Sequence, residues 1–60
     1  MNEMSTVCYY IPYSARAINL LKRISNRYNA KWSVNENEEV TITVKTRYLM
    51  RVEKTLAPIV

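Results

Sequence analysis

Residues 14–29 read SARAINLLKRISNRYN, and this stretch decides the fold. At about 100° per residue, Ala17, Leu20, Leu21, Ile24 and Tyr28 fall on one side, the apolar stripe of an amphipathic helix. Ser14 is placed to cap the first turn. Asn29 suits the left-handed position that closes many helices, which matters in a chain with no glycine. On a second side, about 100° from the first, Arg16, Arg23 and Arg27 line up in a narrow basic stripe. One side has to be buried, and the other invites an anion.

The segments flanking this helix read as strands. Residues 7–11 are β-branched and aromatic, carry no charge and stop at Pro12, which predicts a strand with Val7, Tyr9 and Ile11 on one face and Cys8 and Tyr10 on the other. Residues 31–34 and 40–44 alternate strictly around an acidic, Asn-containing loop, the pattern of a β-hairpin. Trp32, Val34, Val40, Ile42 and Val44 then face the core, with Ser33, Thr41, Thr43 and Lys45 opposite. Thr46 is a candidate cap for a second helix, in which Tyr48, Leu49, Val52 and Leu56 share a face and which Pro58 stops near Leu56. Residues 1–5 are polar and without period and are expected to be disordered. Residues 58–60 form a short apolar tail of unassigned role.

The reading is a single α+β domain spanning residues 1–60, in the order strand, helix, strand, strand, helix. Its three-stranded, antiparallel-containing sheet has the order 2-3-1, and both helices lie on one face. The topology is similar to a ferredoxin-like fold without its last strand, a likeness that implies no activity.

Sixty residues bury only about 60% of the surface an unfolded chain exposes, and small domains commonly add a disulfide, a metal or a second subunit. Cys8 is the only cysteine and there is no histidine, so neither an internal disulfide nor the usual zinc ligand set is expected. A homodimer formed through the first strand is the device left. The lone thiol, the absence of a signal-peptide pattern and the lack of any apolar run near the roughly 20 residues that cross a bilayer lead to the expectation of a cytoplasmic protein with no membrane partner.

The side chains that usually carry catalysis are scarce. There is no histidine and no aspartate, and three of the five carboxylates, Glu36, Glu38 and Glu39, fall in the hairpin loop, where they read as a solubilising turn. Cys8 has no histidine to activate it, and a phosphate-cradling loop needs glycines that this chain lacks. The expectation is a protein that is not an enzyme, with no catalytic residue, cofactor or metal.

What remains is charge. The net charge is +4, and the excess lies on the two predicted helices, where Arg47, Arg51 and Lys54 fall within about 60° of one another on the second. Arg23 with Arg27 and Arg47 with Arg51 are like-charged pairs four apart, each costing a few tenths of a kcal/mol. Arg16 sits in a first turn, where a carboxylate would be preferred. A solvated face that aids solubility is the plain alternative.

Arginine and tyrosine are enriched in interface hot spots, and an uncharged edge strand offers its backbone for strand addition. The expected function is therefore a small regulatory binding protein that inhibits or modulates a larger protein with an acidic surface. It would use Arg16, Arg23, Arg27, Arg47, Arg51 and Lys54 together with the first strand and its neighbouring Tyr10 and Tyr13. In size and charge the chain has the character of the small inhibitors that phages encode. The second class is electrostatic binding of RNA or single-stranded DNA, with arginines on phosphates and tyrosines stacking on bases. Against it, the exposed sheet face offers threonines where an RNA-recognition sheet displays aromatics.

Overall fold

The computed structural model describes residues 3–60. Strand β1 (Met4–Tyr10) leads into helix α1 (Ala15–Tyr28), a hairpin of β2 (Lys31–Val34) and β3 (Glu39–Lys45), a short 3-10 turn (Thr46–Tyr48) and helix α2 (Leu49–Leu56). The sheet order is β1-β3-β2, the expected order read from the other side. Both outer strands run antiparallel to β3, β1 from Met4↔Lys45 to Tyr10↔Glu39 and β2 from Lys31↔Thr43 to Val34↔Val40.

Helix α1 begins and ends as its sequence dictates. The Ser14 Oγ accepts a 3.0 Å bond from the Ala17 N–H, satisfying one of the orphan donors of the first turn and contributing about 1 kcal/mol. At the other end Asn29 takes the left-handed conformation (φ 55°, ψ 35°). The buried face of α1 is Ala17, Leu21 and Ile24, and that of α2 is Val52 and Leu56. These join Ile11, Val40, Ile42 and Val44 in one core, with Val7, Tyr9, Trp32 and Val34 packed at its margins. All the strand residues in that set share one side of the sheet, so both helices cover the same face. Fully buried side chains such as Leu21, Ile24, Ile42 and Leu56 contribute about 2 kcal/mol each. Thr6, Cys8, Tyr10, Lys31, Ser33, Thr41 and Thr43 line the opposite, uncovered side.

Two expectations are corrected. Met4 and Ser5 are not disordered but part of β1, because β3 extends to Lys45 and offers a partner to each of them; the expectation for Met1 and Asn2 lies outside the described residues. Thr46 does not cap α2 with its side chain. Its hydroxyl instead shares a 2.7 Å hydrogen bond with that of Ser5, and its N–H donates to the Glu3 carbonyl. The chain therefore enters α2 through the 3-10 turn. The tail, left unassigned by the sequence, is tied down: Ile59 packs against the core and its N–H bonds to the Leu56 carbonyl.

Candidate binding surfaces

The stripe on α1 opens onto a groove. Arg16, Asn19, Leu20 and Arg23 form one wall, and Thr55 and Pro58, from the end of α2 and the turn beyond it, form the other. Helical spacing explains the first wall, because residues 16, 19, 20 and 23 occupy adjacent positions on successive turns. Leu20, half-buried between core and stripe, gives the wall an apolar patch between two guanidinium groups. Thr55 turns its hydroxyl back onto the Arg51 carbonyl (2.9 Å), so the second wall presents mainly the threonine methyl and the proline ring. The side-chain hydrogen bonds among the described residues engage no arginine guanidinium. A concave surface lined by two arginines with Leu20 and Pro58 beside them suits a carboxylate carried beside an apolar side chain.

The other expected cations are placed differently. Arg27 is exposed in the last turn of α1, where its charge complements the helix dipole, and it lies beyond the groove lining. Arg47 belongs to the 3-10 turn and not to α2, so the regular helical spacing that would align it with Arg51 and Lys54 does not extend to it. Its guanidinium lies 4.9 Å from the centroid of the Tyr48 ring, and Tyr48 in turn stacks obliquely on Tyr28 at 5.3 Å. That arrangement is a cation–π contact on an aromatic pair, which gives Arg47 a packing role within the fold. Arg51 and Lys54 are exposed on α2.

A second surface is the outer side of β1. Tyr10 and Tyr13 are 69% and 75% exposed and Met4 is 52% exposed, while Cys8 is a free, exposed thiol. Among the described residues no strand pairs along this side, and the tail residues Ile59 and Val60 bond to Leu56 instead. On the helix side of the same strand, burial raises the Tyr9 hydroxyl above its usual pKa of 10.0, with a further contribution from the Glu53 carboxylate.

The acidic loop is more constrained than a solubilising turn. The Asn35 side chain accepts from the N–H groups of Asn37 (2.9 Å) and Glu39 (3.0 Å), and Glu38 takes a left-handed backbone (φ 62°). Glu38 also holds the exit of β1, because its carbonyl accepts from Ile11 (3.1 Å) and its carboxylate from the Tyr13 N–H (2.7 Å). Sequence reasoning missed this tie, as it missed Asn19, Thr55 and Pro58 in the groove. Only Leu20, about 40° from Arg16 around the helix, carried a signal that apolar and basic surface meet there. Among the described residues no group of His, Cys, Asp or Glu could hold a metal ion, and no helix is long and apolar enough to cross a membrane.

Compared with known proteins, the chain matches no family model, no curated protein and no solved structure.

Proposed function

We propose that this chain is a non-catalytic regulatory protein of the cytoplasm that inhibits or modulates a larger protein by binding an acidic segment on its surface. The observation that carries the reading is the convergence of Arg16 and Arg23 on one groove with Leu20 and Pro58. Two cations alone would serve any polyanion, but cations beside apolar wall residues favour a peptide in which an acidic residue accompanies an apolar one. Nucleic acid is the less favoured ligand. The uncovered sheet face carries Thr6, Thr41, Thr43 and Ser33, with Tyr10 as its aromatic, and offers little for bases to stack on.

The test is a pull-down from nuclease-treated lysate, followed by measurement of affinity for the recovered protein. Recovery of a defined protein is expected, and Arg23→Glu should weaken it about 100-fold or more, as charge reversal does at a paired interface site. Binding only through nucleic acid, with affinity falling steeply as salt rises, would replace this reading with the electrostatic one.

A further inference from the structure

The hydrogen bonds at the two ends of β1 show which of its backbone groups are in use. At one end the Ile11 N–H donates to the Glu38 carbonyl, and at the other the Thr46 N–H donates to the Glu3 carbonyl. The register between them is continuous. Hydrogen-bonded pairs alternate along an antiparallel ladder, so Ser5, Val7 and Tyr9 exchange bonds with β3. Met4, Thr6, Cys8 and Tyr10 therefore direct their N–H and C=O groups away from the sheet.

We infer that this outer side of β1 pairs with β1 of a second copy of the chain, antiparallel about a two-fold axis at Val7, so that two sheets join into one of six strands. The strand is self-complementary in this arrangement. A two-fold at Val7 sets Met4 opposite Tyr10 of the second copy and Thr6 opposite Cys8 of the second copy. The register that overlaps all seven residues of β1 is thus also the one in which each free backbone group meets another free group. Isologous contacts of this kind are the commonest way that identical chains close into a dimer.

Charge and side chains favour the same occupant. Two chains of net charge +4 repel unless they meet where neither is charged, and β1 has no charged residue from Met4 to Tyr10. It also lacks the lysine, proline or bulge with which edge strands are commonly blunted. Met4 and Tyr10, both largely exposed, lie at opposite ends of the strand, and the two-fold brings each against the other on the uncovered face. Two thioether–aromatic contacts result. The groove belongs to the helix layer and is independent of this contact.

Sedimentation velocity from micromolar to millimolar concentration is the test. The mass is expected to rise from 7.1 kDa toward twice that value, and Arg23→Glu should leave this rise unchanged. Cys8→Pro removes an outward N–H without touching a bond to β3, and should hold the protein monomeric with its circular dichroism preserved. Where the proline perturbs folding, Cys8→Lys should do the same by charge. In Thr6→Cys the new thiol faces Cys8 of the second copy, so mild oxidation should yield a reductant-sensitive dimer far faster than in the wild type. A monomer throughout the series overturns the proposal, as does dimerisation that both Cys8 variants retain. A monomer whose β1 amides gain exchange protection only on adding another protein would assign the edge to a foreign strand instead.

Discussion

Strands β1 and β2 both flank β3 and each leaves one side unpaired, yet β1 runs for seven residues without a charge, whereas β2 has four and begins at Lys31. Their free groups also differ. The Asn35 N–H bonds to the Glu39 carbonyl, so by the same alternation Lys31 and Ser33 bond to β3, and Trp32 and Val34 direct their backbone groups outward. The side chains of Trp32 and Val34 lie on the helix-covered face, while those beside the free groups of β1 lie on the uncovered one. Shortness, a lysine and a neighbouring helix protect β2. None of these devices is used on β1, and an edge left long and uncharged is available for pairing.

The two edge strands should differ most in how they tolerate proline. Ser33→Pro removes an N–H that bonds to β3 and strands the Thr41 carbonyl, at roughly 3 kcal/mol, while Cys8→Pro, on a residue with its N–H free, should cost less than about 1 kcal/mol. Urea unfolding measures both, and equal losses would show that the assignment of used and free groups is wrong.

A smaller effect concerns the fastening of β1 by Glu38, where the exit of β2 is held by Asn35 instead. Glu38→Ala removes the carboxylate that holds the Tyr13 N–H and keeps a left-handed residue other than glycine, so the loss is that of the hydrogen bond, about 1 kcal/mol. Glu38→Gly loses the same bond but relieves the backbone, and should be the more stable of the two by about 1 kcal/mol. Hydrogen exchange should quicken at Ile11 and Tyr13 in the alanine variant and stay unchanged at Ser33, whose N–H bonds to β3.

The smallest effect is alkaline. The folded state holds the Tyr9 proton above the usual pKa of 10.0, so in that range it binds more protons than the unfolded chain. Its contribution to stability is complete below pH 10 and declines as pH rises through the folded value. The aromatic residue of β2 is Trp32, which does not titrate. Tyr9→Phe should flatten the fall in melting temperature above pH 10, and an unchanged slope would assign the alkaline transition to other groups.

Periodic elements were legible because their signals are local. Ser14, the apolar stripe and Asn29 bound α1 without reference to the rest of the chain, and the alternation of residues 31–34 and 40–44 gave the hairpin. The start of β1 was illegible because nothing in Met4 and Ser5 signals a strand; they are ordered by the length of β3, far along the chain. The conformation of the loop was illegible for a chemical reason. Its asparagines are the residues that tolerate a left-handed backbone, but the Asn35 side chain is occupied as an acceptor and the conformation falls to Glu38. Of the basic surfaces, the stripe on α1 could be read from spacing, whereas the groove also needs Thr55 and Pro58, which only tertiary packing brings to it. The second stripe fails as a regular array because Arg47 lies in the 3-10 turn.

The position of β3 between its two neighbours also orders events in time. It meets β2 across a short loop, while its pairing with β1 closes a span of 29 residues at Tyr10↔Glu39 and 41 at Met4↔Lys45. Closing a longer loop costs more entropy before any contact repays it, and an isolated hairpin forms in roughly 1–10 μs. The hairpin is therefore expected to form early and β1 to dock late, zipping from the end that Glu38 holds. Truncations along β1 should then leave the refolding rate nearly unchanged and accelerate unfolding instead, so that the strand exposed for association governs how long each folded molecule lasts.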